Sequence, residues 1–332
     1  MNALLSNPAL PYWSRLLGLS LAVGAVSYFA GWLASTALAP FAIQRALRHQ
    51  TQAPAQAARW LLKLRLLPLV SAAALVAGLC WPSYLWLEPL ADGESWSLGF
   101  RLVALAGALL LLASLFRLAR AYWSHRPLVR QARRLGRVLV VPGPQPIMAL
   151  FGILRPRLLI SRNLLQLLSP AQLDAGVRHE RAHLRARDNF KRLLILASPA
   201  PGPRLRQLER AWARATEWAA DDRAVAGDAH RSLTLASTLV AVARLSPSAP
   251  AFAPFALHSS LSAPPASFLS GALTADSADL AERVRRLLAP AAPAIHLRRA
   301  WPAWLAAALL LSFMLQPATL LAAHRILEHL VR

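Results

Sequence analysis

Acidic side chains are scarce in this chain: 15 Asp and Glu face 37 Lys and Arg, a net charge of +22. The deficit excludes a charge-balanced surface and leaves three readings of the excess: nucleic acid, anionic lipid, or the cytoplasmic loops of a membrane protein. Cysteine is nearly absent. Cys80 stands alone inside an apolar run, so no intramolecular disulfide can form and nothing suggests an oxidised extracellular framework. Zinc-knuckle, RNA-recognition and helix-turn-helix patterns are missing as well, which argues against direct nucleic-acid binding.

What the chain does have is apolar length. Hydrophobic residues make up 56% and the mean hydropathy is +0.39, too apolar for an ordinary soluble protein. Segments at about 16–39, 66–87, 98–116 and 301–323 are each long enough to cross ~30 Å of hydrocarbon at ~1.5 Å per residue. Arg101, in the third, lies near its outer end, where a long side chain can reach the headgroups. Trp13, Trp60, Trp81, Trp86, Trp96, Trp123, Trp301 and Trp304 sit near the segment ends, as interfacial anchors do. Ala37-Leu38-Ala39 has the small-x-small form of a signal-peptidase site, but the uncharged run from Leu16 is longer than a signal core and Pro40 opposes cleavage. An uncleaved helix is expected.

The first loop carries Arg45, Arg48, Arg59, Lys63 and Arg65 without an acid, whereas the second carries Glu88, Asp92 and Glu94 without a base before Arg101. The positive-inside rule therefore puts the first loop in the cytoplasm and the N-terminus outside. The expected organisation is a three-helix anchor over 1–116, a cytoplasmic domain over 117–245, a Pro-rich linker and short helix over 246–300, a fourth span over 301–323 and a short outer tail over 324–332. The arginines from Arg117 to Arg137 fit a cytoplasmic position facing anionic lipid.

Within 117–245 a basic helix at about 117–136 is expected to lead into strands at 137–141, 147–151 and 157–160, a small antiparallel sheet. Ser169-Pro170-Ala171-Gln172 joins a Ser cap, a Pro at the first helical position and a Gln able to close a capping box, so a helix should run from Pro170 to about Asp188. A second helix is expected at about 205–226, with Leu208, Trp212 and Ala219 or Ala220 on its buried side, and a short one at 279–288.

The first of these helices contains His179-Glu180-Arg181-Ala182-His183. Residues four apart share a helix face, so His179 and His183 can bind one zinc ion with Glu180 beside it to take a proton from metal-activated water. Zinc is preferred because imidazole and carboxylate suit it, although the ligand set alone admits cobalt or manganese. A catalytic site needs a third protein ligand and an open position. Glu217 on the later helix can supply the ligand, and Asp221, one turn on, can orient a ligand histidine through its free ring N–H. Asp222 and Asp228 are expected to face solvent, and Asp188 to pair with nearby arginines.

The stretch from Ala149-Leu150-Phe151-Gly152 through Arg155-Pro156-Arg157-Leu158-Leu159-Ile160 to the HExxH helix and Arg185-Ala186-Arg187-Asp188 resembles the BlaR/MecR family of membrane gluzincins. The resemblance implies a mainly α polytopic protein with four transmembrane helices and an α+β zincin-like cytoplasmic domain, in a bacterial cytoplasmic (inner) membrane. It implies His179, His183 and Glu217 as Zn2+ ligands, Glu180 as catalytic base, and a cytoplasmic substrate: a BlaI/MecI-like repressor or the chain itself. The apolar strand before the helix could hold an extended substrate by strand addition. The expected departure is at the end, where only Arg325 to Arg332 follow the fourth span and no Ser-x-x-Lys motif occurs, so β-lactam binding by this chain is not expected. Two other readings stay open: a quality-control protease resembling the HtpX/Ste24 group, which shares HExxH with a distant ExxxD, and a non-catalytic membrane receptor or scaffold.

Overall fold

The computed structural model describes residues 9–49, 52–87, 96–136, 138–143, 146–153, 156–245, 277–289, 309 and 312–331. The apolar runs form long helices: α1 (Ala9–His49), α2 (Pro54–Leu75) continued through a π-helical turn at Val76–Cys80 into α3 (Trp81–Leu87), and α4 (Leu98–Gln131). Three stretches of these, Tyr12–His49, Pro54–Leu87 and Leu98–Trp123, are long and apolar enough to cross a membrane. Each contains one of the first three expected spans and overshoots it. α1, with 41 residues, is about 60 Å long, roughly twice the hydrocarbon thickness. The basic loop expected after the first span is therefore mostly helix, with only positions 50–53 between His49 and Pro54.

The apolar helices meet where small residues let backbones approach. A Cβ on Gly31 would come within 2.8 Å of the Pro68 backbone, so α1 and α2 touch there without an intervening side chain. Below this crossing Ala39, Ala46, Ala57, Leu61 and Leu66 of the hairpin share one core with Ile195, Leu205, Leu208, Trp212 and Ala215 of the following domain.

Part of the fourth expected span, residues 301–308, 310 and 311, lies outside the described residues, as do 246–276 and 290–300 of the linker. What is described of 301–323 is not one straight helix: the chain turns at Leu315–Gln316, and α11 (Pro317–Val331) starts there. Pro317 has no N–H to continue the preceding helix and suits the first position of a new one. The stretch after His324, expected as a tail, is helical through Val331.

The basic helix expected at 117–136 is the continuation of α4, and it ends at Gln131. Four strands follow: β1 (Arg133–Leu135), β2 (Val138–Val141), β3 (Met148–Phe151) and β4 (Arg157–Ser161), in the order β1-β2-β4-β3. The expected antiparallel sheet is in fact mixed, because β2 pairs with β4 in parallel, Val138 opposite Leu158. β4 takes the inner place since Leu159, Ile160 and Ser161 are all buried, and the β3–β4 hairpin thereby leaves β3 at the edge.

Helices α5 (Arg162–Leu167), α6 (Pro170–Ala186), α7 (Asp188–Leu196), α8 (Pro203–Val225), α9 (Ala229–Arg244) and α10 (Ser277–Leu288) complete the domain. α5, α7 and α9 are additional to the expected helices. α6 lies close on the sheet at Gly176, where a Cβ would meet Met148 Sδ at 2.6 Å. As expected, α8 buries Leu208, Trp212, Ala219 and Ala220.

One residue placed by its sequence in a loop turns out to be interior. Arg65 is fully buried within α2, where its Nε donates to Glu209 Oε1 on α8 at 2.6 Å. Its Nη atoms donate to Ser198 Oγ (3.2 Å) and to the carbonyls of Ser198 (2.8 Å) and Ile195 (3.3 Å) after and within α7. From α1, Tyr28 donates to the Pro199 carbonyl and Trp32 Nε1 to that of Pro201 at 3.0 Å. The apolar hairpin is thus keyed to the domain by a buried polar lock.

Candidate metal centre

Local sequence sets α6. Ser169 Oγ accepts the Gln172 N–H at 3.3 Å and Gln172 Oε1 accepts the Ser169 N–H at 3.0 Å, so the capping box forms as expected. The helix ends at Arg187, which adopts the left-handed conformation (φ 55°) without being glycine. This strained turn folds Asp188, the first residue of α7, back under His183.

His179, Glu180, His183, Glu217 and Asp221 are all buried, and the structure brings them together. His179 Nε2 lies 3.1 Å from His183 Nε2 and 3.4 Å from Glu217 Oε2, and His183 Nε2 lies 3.6 Å from Glu217 Oε1. Tetrahedral ligands about 2.0–2.1 Å from one zinc ion would be about 3.3 Å apart, so the spacing already suits a metal. The proton inventory agrees. His183 Nδ1 donates to Asp188 Oδ2 at 2.9 Å, and His179 Nδ1 meets Asp221 Oδ1 at 2.9 Å in a bent approach. With both Nδ1 atoms protonated for these carboxylates, both Nε2 atoms present lone pairs toward each other and toward a carboxylate. Glu217 Oε2 is buried without a hydrogen-bond donor. Three converging acceptors call for a cation, or in its absence for protons.

The electrostatics of these side chains follow. Burial disfavours charged His183, but Glu217 and Asp188 outweigh it and raise its pKa to about 9; His179 is raised likewise against burial by Asp221 and Glu217. Burial opposes ionisation of Asp221 and Glu217 too, yet Arg283 and His179 bring Asp221 down to about 2, and His183 leads the groups holding Glu217 well below the ordinary range. Glu180 goes the other way, raised by burial in spite of both histidines. A carboxylate raised in this way accepts a proton more readily than an ordinary one. Its Oε2 accepts the Leu150 N–H of β3 at 3.1 Å.

Two expectations need revision. Asp188 is no partner of arginines: it holds His183 and accepts from Lys191 Nζ at 2.7 Å. Strand addition to β3 is obstructed, because its outward-facing groups at Leu150 are already engaged, the N–H by Glu180 and the carbonyl by Asn189 Nδ2 at 3.0 Å. Asp222 is largely exposed but pairs with Arg286 at 2.6 Å, and Asp228 caps α9 by accepting the Arg231 N–H at 2.9 Å.

Sequence reasoning also missed the arginines of the site. Arg192 Nη2 approaches Glu217 Oε1 at 3.4 Å, and Arg283 of α10 grips Asp221 with two bonds of 2.7 and 2.8 Å. A signal for Arg283 was present: Leu280, Val284 and Leu287 form an apolar face on α10, and Arg283 falls on the same face. An arginine on a buried stripe requires an acid opposite it.

Comparison with protein-family models, with curated proteins and with solved structures gives no match for this chain. The case for a metal centre rests on its own geometry.

Proposed function

We propose that this chain is an integral membrane zinc endopeptidase of the BlaR/MecR kind, with three N-terminal spans and a fourth near the C-terminus. The peptidase domain would face the cytoplasm. The observation that carries the reading is the convergence of three buried acceptor atoms from His179, His183 and Glu217 beside the buried carboxyl of Glu180.

Zinc at this position would acidify a water and polarise a peptide carbonyl. Everything else is the work of this chain's own groups. Asp188 and Asp221 fix the ring orientation of the two histidines and leave Nε2 of each free to ligate. Glu180 takes the proton of the attacking water and passes it to the departing amine, so that it ends each cycle as it began. The Leu150 N–H holds its carboxylate in place between turnovers.

The substrate class we favour is a cytoplasmic repressor or the chain itself, cleaved in response to a signal. Burial of the whole site supports regulated over continuous proteolysis: Glu180 is only 4% exposed. A quality-control peptidase of the HtpX/Ste24 type would use the same residues, and a scaffold would use none of them as catalysts. The test is cleavage of a candidate repressor by protein purified in lipid, with wild type and Glu180→Gln. Loss of cutting in the variant with zinc retained supports the proposal; full rescue of a deletion strain by Glu180→Gln would make the chain a scaffold. Accumulation of misfolded membrane proteins in that strain, with the repressor unaffected, would favour quality control.

A further inference from the structure

The helix that carries Arg283 is attached differently from the rest of the domain. α10 follows α9 only after residues 245–276, and it leads through 289–316 to α11, whose Leu327 packs with Leu19, Cys80, Tyr84 and Phe100 of the apolar helices. Its hold on the domain has two parts. Leu280, Val284 and Leu287 pack on Leu235, Ala236 and Leu239 of α9 and on Ala224 and Val225 of α8. Around this apolar strip lies a ring of ion pairs, Arg286 with Asp222 at 2.6 Å and Arg214 with Asp279 and Glu282.

At the centre of the strip Arg283 enters the metal site. It is 1% exposed, bonds both oxygens of Asp221 through Nε and Nη2, and sets Nη1 3.5 Å from Glu217 Oε2. Asp221 in turn faces His179 Nδ1 at 2.9 Å. One guanidinium therefore touches the carboxylate that orients one proposed ligand, and the carboxylate that is another. The site also buries Glu180 and Asp188, and among the described residues this group of four acids faces Arg283, Arg192 and Lys191 as well as the two histidines. With Arg283 gone, Asp221 and Glu217 would stand side by side and His179 would lose its fixed orienting partner.

We propose that α10 is a detachable clamp on the metal centre, with Arg283 as its positioning residue: docking of α10 raises zinc affinity, and zinc in turn holds α10 down. The inference rests on the metal reading given above but not on peptidase activity. Because coupling between two sites is reciprocal, either side can be measured.

The experiment is zinc affinity by chelator competition on the full-length protein in lipid, together with hydrogen exchange of the α10 amides with and without zinc. Arg283→Gln should bind zinc about 10–100-fold more weakly, and zinc should no longer slow exchange in α10. Arg286→Glu loosens α10 at its rim, away from the ligands; it should weaken zinc binding too, and adding Asp222→Arg should restore most of the loss. Zinc affinity equal to wild type in both single variants, or α10 exchange indifferent to zinc in wild type, overturns the clamp and leaves the metal site standing. Failure of wild type to bind zinc overturns the metal reading, and the clamp with it.

Discussion

α8 is held at two places by buried arginines, and the two differ in kind. At Glu209 it meets Arg65, which belongs to the apolar hairpin and also binds the carbonyls of Ile195 and Ser198. Eight residues on, at Glu217 and Asp221, it meets Arg283 from a helix with long connections on both sides. The first contact joins elements that share a continuous apolar core, whereas the second closes a cluster of charges. The lesson is that one helix carries a fixed end, which shares a core with the apolar hairpin, and a charged end, where the proposed metal chemistry would sit.

The comparison can be broken at either end. The largest effect is expected at the charged end: Glu180→Gln should reduce cleavage about 10²–10⁴-fold with metal content unchanged, measured by single-turnover proteolysis. At the fixed end, Arg65→Ala leaves Glu209 buried without its cation and should lower stability by about 3–5 kcal/mol, read by chemical denaturation in detergent. Replacing both Arg65 and Glu209 by Met should return part of that loss, because both charges of the pair are then gone. Asp221→Asn keeps the shape but weakens the hold on His179, and zinc affinity should fall about 10–100-fold in a chelator assay. A contrast of the smallest size comes from the surface: Asp174→Ala removes a half-exposed pair with Arg178 and should change stability by under about 0.5 kcal/mol in the same denaturation measurement.

The charged end should also respond to pH. His183 in the metal-free site has a pKa of about 9 against an ordinary value near 6.5, so its protonated form favours the folded state. That contribution is complete below about pH 6.5 and is lost as pH rises through about 9. Thermal scans of metal-stripped protein should therefore show falling stability across this window. Zinc-loaded protein should not follow it, because the ligand histidines are then already deprotonated.

How much of this could be read beforehand differs between the two ends. The HExxH helix and the Glu217/Asp221 pair were legible because helix periodicity alone puts their members on common faces. Asp188 was misjudged because its contact with His183 depends on a left-handed Arg187, a conformation that residue type does not advertise. Arg65 was misjudged for another reason: a charge beside an apolar run normally marks the end of a span, and only the fold reveals an acid waiting on a distant helix. Yet Pro54, Ala57, Leu61, Arg65 and Pro68 recur at helical spacing, and all are buried, so the stripe itself was visible. The parallel pairing of β2 with β4 was hidden because strand patterns fix which residues face inward, not which strand takes the centre.

The most direct test of the account is the metal content of the purified full-length protein, wild type beside Glu180→Gln and a His183→Ala, Glu217→Ala double variant. The account predicts about one zinc per chain in the first two and none in the double variant, with all three folded by circular dichroism. Wild type without metal, or a double variant that keeps its zinc, would contradict it.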